Sequence, residues 1–316
     1  MTTREAYGLA LAELGAENPD IVVLDADLSK STRTEIFAAR YPERFFNMGI
    51  AEQNLMGTAA GLALAGKIPF ASTFAVFATG RAFEQVRNSI CHARLNVKIV
   101  ASHAGITVGE DGASHQAIED IALMRALPHM TVIVPADGVQ TARAVRAVAA
   151  YEGPVYLRLG RMAVPQVYPE GYRFRWGKAD VLRAGDDATI VACGLMVSIA
   201  LEAAEALSRE GIEVTVLNMA MVKPLDLETL VEAARRTGAV VTAEEHSIIG
   251  GLGSAVAEAL AENWPVPTYR VGLRDVFGES GRPEELLDRY GLSAPHLVEA
   301  VRRVLARKTM GADRRG

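Results

Sequence analysis

The sequence predicts an α/β protein with two domains, each built on a mainly parallel sheet. Expected strands and helices alternate along almost the whole chain, and such alternation implies right-handed crossovers between parallel strands. The chain has 316 residues, enough for about two domains of ~150 residues each. Half of the residues are hydrophobic and 22% are charged, which is the composition of an ordinary globular protein with ample core.

The chain begins with a predicted helix and a buried strand. Thr3 is the expected N-cap of a helix that runs to about Leu14, with Glu5 in its first turn. Residues 21–27, IVVLDAD, read as a buried strand that ends in an acidic residue, and LSKSTRT follows as a polar loop.

Residues 47–87 are expected to fold as loop, helix, strand, loop and helix. Glu52 lies in the first helical turn after Gly49, a place where the helix dipole favours a carboxylate. The small residues around Gly57 and Gly61 let other backbones pack closely, which is typical of a buried helix.

Phe74 and Phe77 are expected in the loop that leaves the strand IPFAST. The two rings would form an aromatic shelf that faces the partly desolvated carboxylate of Glu52. This arrangement suits a flat, nitrogen-containing ring. A helix-dipole contact and two core aromatics explain the same residues, so the pattern alone leaves both interpretations open.

A Gly-rich segment, the 102–115 loop, follows the strand VKIVAS and carries two histidines and two carboxylates. Their spacing matches no metal-binding motif, and loops also carry such residues for solvation alone. A helix from about Gln116, the strand MTVIVP, a helix over 139–150 and the strand PVYLRL are expected next. Ligands bind at the carboxyl ends of parallel strands. The polar residues predicted at that edge are Asp27, Ser31, His103, Asp111, His115 and Arg161.

The predicted domains are residues 1–165 and 187–316, joined by a linker over 166–186 that is rich in Pro, Tyr and Gly. The second domain alternates again, and its last residues from Ala306 read as a frayed basic tail. GGLGSAV precedes a helix, and glycines in that position can expose backbone N–H groups of the kind that bind phosphate. Because it lacks the full G-x-G-x-x-G pattern, we expect it to serve helix packing, and we expect no chemistry from His246.

Charge and cysteine content narrow the function classes. A net charge of −5 gives no reason to expect nucleic acid, and uncharged runs fall short of the ~20 residues of a membrane span. Cys91 and Cys193 lie far apart in apolar segments, so we expect reduced core residues of a cytoplasmic protein. The N-terminus is charged and helical, unlike a signal peptide.

NMGIAEQN followed by ASTFAVF resembles the pyrimidine-binding segment of transketolase-type thiamine diphosphate enzymes. In that family the glutamate bonds N1′ of the aminopyrimidine and the aromatic residues pack on its ring. The resemblance implies that thiamine diphosphate is bound by Glu52, Phe74 and Phe77, with Asp27 near it at a subunit interface. It extends over essentially the whole chain and implies a pyrimidine-binding domain followed by the smaller transketolase C-terminal domain.

The 102–115 loop and the segment YLRLGR are similar to the substrate-binding segments of transketolases. The resemblance implies that His103 lies in the substrate channel, that His115 lies near the reacting carbonyl carbon, and that both act in catalysis with Glu52. Asp111 matches an aspartate that bonds a sugar hydroxyl. The implied phosphate contacts are Arg161, Arg4 and Ser31, whereas Arg158 is structural. The implied reaction passes a two-carbon ketol unit from a ketose phosphate to an aldose phosphate.

Two departures from the family pattern matter. Gly80 stands where many transketolases have a third aromatic residue, and Phe83 is the candidate substitute. Transketolases also hold the diphosphate through Mg²⁺ or Ca²⁺ bound at a G-D-G motif, which neither GEDG nor GDDA matches in context. The sequence therefore resembles the C-terminal half of a split transketolase, whose N-terminal partner subunit would bind the diphosphate and the cation. We expect like subunits to pair as well, giving a heterotetramer.

Three alternatives stay open at this point. 1-Deoxyxylulose-5-phosphate synthase shares GIAEQ and GEDG, but it usually has Arg in place of His103. Beta subunits of 2-oxo acid dehydrogenases share the two-domain plan, but they generally lack the HAGITVGEDG pattern. A non-catalytic partner subunit would have no need of Glu52, His103, Asp111 and His115.

Overall fold

A computed structural model describes residues 1–313 of the chain, with side chains through residue 309. The strands are β1 (Ile21–Asp25), β2 (Phe45–Asn47), β3 (Ile68–Phe74), β4 (Lys98–Ser102), β5 (Thr131–Ile133), β6 (Val155–Arg158), β7 (Asp180–Arg183), β8 (Ala188–Ala192), β9 (Val214–Asn218), β10 (Met221–Lys223), β11 (Val240–Ser247) and β12 (Thr268–Leu273). The helices are α1 (Thr3–Glu17), α2 (Ser29–Thr32), α3 (Glu35–Arg40), α4 (Glu52–Leu64), α5 (Phe83–Gln85), α6 (Asp120–Ala126), α7 (Gly138–Ala150), α8 (Met196–Ser208), α9 (Leu227–Thr237), α10 (Leu252–Asn263), α11 (Pro283–Arg289) and α12 (Ala294–Asp313).

The strands form two sheets with helices packed against them. The first sheet has seven strands in the order β10-β5-β6-β4-β3-β1-β2, and the second has five in the order β12-β11-β8-β9-β7. All neighbours pair in parallel except β10 with β5 and β7 with β9. The predicted fold class, two α/β domains with mainly parallel sheets, is confirmed.

Central strands of the first sheet are buried along their whole length. Every residue of β1, β4 and β6 is buried, as helices on both faces of a parallel sheet require. Cys91 and Cys193 are buried free thiols, as expected. None of the helices in the described part of the chain combines the length and the apolar composition that a membrane crossing requires.

Several predicted element boundaries are wrong for identifiable reasons. Thr2, not Thr3, caps α1, because its hydroxyl accepts from the backbone N–H of Glu5 at 3.2 Å. The predicted loop LSKSTRT contains the short helix α2. The helix expected from Gln116 begins only at Asp120, since Ala117 forms an isolated β-bridge with Ala104.

The loop expected after β3 is absent. The chain turns directly into helix at Ala75, with π-helical turns over Phe77–Arg81 and Val86–His92. Phe74 is therefore the last residue of a strand and Phe77 lies on a helix. π-Helical turns insert an extra residue into a helix and are frequent at functional sites.

The two halves of the chain are interleaved. β10 comes from the second half yet joins the first sheet beside β5, and β7 lies inside the segment predicted to be a linker. The predicted boundaries at residues 165 and 187 therefore stay a prediction. The basic tail expected from Ala306 is instead helical to Asp313 as part of α12, and its last three residues lie outside the described ones.

Candidate functional site

The carboxyl ends of four neighbouring strands bring together the residues singled out from the sequence. Phe74 is the last residue of β3, His103 follows β4, Asp27 lies just beyond β1, and Arg161 lies just beyond β6. These strands are adjacent in the sheet, so their ends form one edge.

The side chains at this edge include four stacked or edge-packed rings. Phe74 and Phe77 stack with centroids 5.9 Å apart, and the His103 ring stacks on Phe74 at 3.9 Å. His115 packs edge-on against Phe77 at 5.5 Å. The backbone of His103 has a φ of 57°, a left-handed conformation that is rare outside glycine and common at functional sites.

Glu52 supplies a buried carboxylate beside these rings. Its side chain is 2% exposed at the first residue of α4, and its Oε1 accepts from Nη1 of Arg81 at 2.9 Å. The Arg81 guanidinium in turn lies over the Phe77 ring, 4.4 Å from the centroid. One buried carboxylate next to an aromatic shelf fits the aminopyrimidine half of thiamine diphosphate.

Phe83 does not extend the shelf, because it packs against a hydrophobic core cluster to which both domains contribute. Gly80 is exposed, and a side chain there would meet no atom within 4 Å. The planar group next to Phe77 is Arg81, which sequence reasoning missed. The signal that could have identified Arg81 is its position directly after Gly80, the residue that replaces the third aromatic.

A group of cations lies at the same edge. Arg4 donates from Nη1 to the backbone carbonyl of Ser31 at 2.8 Å, which brings these two predicted phosphate contacts together. Within the described residues, Nε of Arg4 and Nε of Arg33 are buried without a hydrogen-bond partner. The pKa of Arg4 is lowered by burial and then by the like charges of Arg33 and Arg161. An anionic ligand would stabilise all three guanidinium groups.

His103 is held neutral in this environment. Burial, followed by the positive charges of Arg4 and Arg161 and by His115, lowers the pKa of His103 to about 3. Its Nδ1 lies 2.9 Å from the hydroxyl of Ser102. A neutral imidazole beside the shelf can donate or accept a hydrogen bond without adding charge.

The 102–115 loop packs around Arg161. Arg161 donates to the backbone carbonyl of Val108 and lies 3.4 Å from Glu110 and 3.9 Å from Asp111. Asp111 is exposed, and Nδ1 of His115 lies 3.0 Å from the Ser114 hydroxyl. The loop thus presents one carboxylate and one imidazole to the same edge as Arg161.

The second domain fixes the backbone of this loop. Glu245 of β11 accepts from the backbone N–H of Thr107 at 2.7 Å, and burial raises the pKa of this carboxyl to about 7. The Gln116 amide donates to the carbonyls of Ile106 and Glu279. A side chain at Gly112 would collide with Ser280. Sequence reasoning missed this clamp, which consists of Glu245, Gln116 and Ser280.

Arg158, His246 and GGLGSAV serve structure, as expected. Arg158 forms a buried ion pair with Asp120 at 2.7 Å. Nε2 of His246 accepts from the Ala122 N–H, and its Nδ1 lies 2.7 Å from the backbone carbonyl of Ser247. The N–H groups of Leu252 and Gly253 are bonded to the Glu244 carboxylate at 2.7 Å each, so they do not face a phosphate site.

Asp27 lies on an exposed part of the same sheet edge. It bonds the Asn47 side chain at 3.0 Å, and the turn that carries it is shaped by the buried Asp25, which accepts from Leu28 and Thr32. One face of α4 is also uncovered. The exposed positions of the helix are Gln53, Asn54, Gly57, Gly61 and Leu64, and Ile50 before the helix is 78% exposed. The helix expected to be buried is therefore buried on one face only.

The described residues contain no group of three or more His, Cys, Asp or Glu side chains that could hold a metal ion.

Comparisons with known proteins agree with this arrangement. Residues 1–166 match the transketolase pyrimidine-binding domain, and residues 177–297 match the transketolase C-terminal domain. A putative transketolase C-terminal section from Methanocaldococcus jannaschii is 51% identical over 94% of both chains. The 6-deoxy-6-sulfo-D-fructose transketolase subunit SqwH of a Clostridium species is 47% identical over 96% of this chain and 95% of its own.

A solved structure described as a split gene transketolase, inactive beta4 tetramer, is 64% identical. It superposes with a TM-score of 0.92 over 98% of this chain and 99% of its own. The chain belongs to the transketolase family and corresponds to the C-terminal section of a split transketolase, with a pyrimidine-binding domain followed by a C-terminal domain.

Proposed function

We propose that this chain is the C-terminal subunit of a two-subunit transketolase that transfers a two-carbon ketol unit from a ketose phosphate to an aldose phosphate. The observation that carries the proposal is the buried Glu52 carboxylate beside the Phe77 ring, at the same sheet edge as the arginine group. Thiamine diphosphate, when bound, supplies the electron sink that ketol transfer needs.

Glu52 is assigned to N1′ of the aminopyrimidine. Because the carboxylate is 2% exposed, water competes little for its oxygens, and it can share a proton with a ring nitrogen. His103 and His115 flank the shelf and are assigned to hydrogen bonds with the sugar near its reacting carbonyl. The neutral state of His103 lets it donate one hydrogen bond without attracting the substrate's phosphate to the wrong place.

The substrate's phosphate is assigned to Arg4, Arg33 and Arg161, with the Ser31 turn beside them. The name of the Clostridium relative refers to a sulfonated sugar, and a sulfonate is also a tetrahedral anion. A sulfonate carries one negative charge, whereas a phosphate ester carries nearly two at neutral pH. The like charges of Arg33 and Arg161 act on Arg4, and a dianion relieves this repulsion more than a monoanion does. Asp111 is assigned to a sugar hydroxyl.

The partner is assigned the diphosphate and its Mg²⁺ or Ca²⁺, which requires oxygen ligands that the described residues do not group together. The uncovered face of α4, the helix that begins with Glu52, is the surface that a second chain would cover. The similar solved structure is an inactive tetramer of one subunit type. It supports self-association of this chain and inactivity in isolation. The proposal adds a heterotetramer with the partner subunit, located in the cytoplasm.

The proposal is tested by Glu52→Gln in the enzyme reconstituted with its N-terminal partner. The amide keeps the size but does not share a proton with N1′, and positioned proton transfer is worth roughly 10²–10⁴-fold. Turnover should fall by that factor while the KM for sugars changes little.

The matched control is Glu84→Gln, which makes the same change at an exposed glutamate bonded only to its helix neighbours Gln85 and Asn88. This variant should keep full turnover. Near-normal turnover of Glu52→Gln would contradict the assignment.

A further inference from the structure

Arg81 contacts both features of the shelf that the proposed cofactor ring requires. Its Nη1 donates to Oε1 of Glu52 at 2.9 Å, and its guanidinium carbon lies 4.4 Å from the centroid of Phe77. Among the described residues, Arg81 is the one cation within ion-pair distance of Glu52. The contact therefore covers the carboxylate and the ring face together.

The contact has a clear physical cause. A buried carboxylate is costly unless a charged or hydrogen-bonding partner compensates it. The guanidinium is planar, donates from its edge and stacks on aromatic rings, so it resembles a flat nitrogen-containing ring in shape. Arg81 thus covers the same carboxylate and the same ring face that an aminopyrimidine would, although it donates to Glu52 whereas N1′ accepts a proton from it.

The backbone around Arg81 explains how its side chain reaches Glu52. The π-helical turn Phe77–Arg81 ends with a bond from the N–H of Ala82 to the carbonyl of Phe77 at 3.2 Å. The Gln53 amide also donates to the Arg81 carbonyl at 3.3 Å. The backbone is therefore fixed, while the side chain is 49% exposed and has open solvent to move into.

We propose that Arg81 is a latch that occupies Glu52 and Phe77 and must be displaced by the aminopyrimidine ring. The inference rests on the proposed function. The ring can bind the shelf only after the contact of Arg81 with Glu52 is broken. Its apparent affinity is therefore reduced in proportion to the small fraction of chains in which the latch is open. Binding then depends on the diphosphate anchor of the partner, which ties cofactor uptake to assembly.

The test uses the full chain alone and an aminopyrimidine without diphosphate, 4-amino-2-methylpyrimidine, titrated by NMR. Arg81→Met keeps the length and the packing on Phe77 but removes the donor. A half-exposed ion pair contributes modestly, so the variant should bind the ring about fivefold more tightly than the unaltered chain.

Two controls isolate the latch. Arg87→Met removes the same charge from an exposed position on the next helical turn and should leave the affinity unchanged. In a Glu52→Gln background, Arg81→Met should not raise the affinity for the ring, because Arg81 has lost its ion-pair partner. Arg81→Gln serves as a second variant if circular dichroism shows that Arg81→Met is misfolded.

Equal or weaker binding of the ring by folded Arg81 variants would overturn the latch. Calorimetry of thiamine diphosphate binding to the reconstituted complex separates this failure from that of the proposed function. A complex of the unaltered chain that binds no thiamine diphosphate would overturn the proposed function. Binding with equal affinity in the unaltered and Arg81→Met complexes would overturn the latch alone.

Discussion

The 102–115 loop and the aromatic shelf lie side by side, yet the chain supports them differently. The loop is held from behind by the second domain, through the Glu245 carboxylate on the Thr107 N–H and through Gln116. The shelf borders an uncovered face of α4, and its buried carboxylate depends on the half-exposed Arg81. One region is supported within the chain, whereas the other borders a surface that the described residues leave uncovered.

Under the proposed function, this difference shows which parts of one active site each of the two subunits supplies. Sugar binding needs a loop of fixed shape, which one polypeptide supplies through buried hydrogen bonds between its two domains. Cofactor binding needs an apolar shelf and a charged anchor, which make opposite demands on their surroundings. Under the proposed function, placing the anchor on a separate subunit leaves the face of α4 beside the shelf uncovered until the two assemble.

The largest expected effect is on the 102–115 loop, the region that is supported within the chain. Arg158→Met removes one partner of the buried pair beneath the loop and leaves Asp120 with the Tyr156 hydroxyl alone. Losing one member of a buried pair costs about 3–5 kcal/mol of the free energy of unfolding. Urea unfolding of the isolated chain measures this loss. Combining Arg158→Met with Asp120→Asn should recover part of it, and a single variant as stable as the unaltered chain would show that the pair is not needed.

A pH-dependent effect tests the support of the same loop through Glu245. The pKa of Glu245 is raised by burial from 4.5 to about 7, so the folded chain holds a proton that the unfolded chain releases. Its contribution to stability is present below about pH 4.5 and is lost as the pH rises to about 7.

Glu245→Gln removes this loss while keeping an oxygen for Thr107. The variant should be more stable than the unaltered chain by about 1–3 kcal/mol at pH 8, with no difference near pH 4.5. Thermal or urea unfolding at both pH values measures this. A variant that is less stable at pH 8 would mean that the ionised carboxylate supports the loop.

The smallest expected effect probes the edge that both regions share. Arg161→Ala removes a half-exposed guanidinium and should raise the KM for phosphorylated sugars about tenfold in the reconstituted enzyme. Turnover should change little. The unphosphorylated acceptor is the internal control, and equal losses on both acceptors would give Arg161 another role.

Sequence reasoning predicts the parts of this molecule that depend on local pattern. Apolar runs such as 21–25 and 98–102 mark buried parallel strands, and the residues after them mark the edge. Contacts between distant residues escaped it. The Glu245 bond to Thr107 spans 138 residues, and β10 crosses to the other sheet. The Glu52–Arg81 pair escaped it because a π-helical turn replaced the expected loop.

The most direct test of the split-site account is a titration of the purified chain with its diphosphate-domain partner subunit. Ketol transfer and thiamine diphosphate binding are followed together, in Mg²⁺ and with a ketose phosphate donor and an aldose phosphate acceptor. The account predicts no transfer by the chain alone, with activity and tight cofactor binding rising together to saturation as the partner is added. Robust ketol transfer by the chain alone, with cofactor and Mg²⁺, would contradict it.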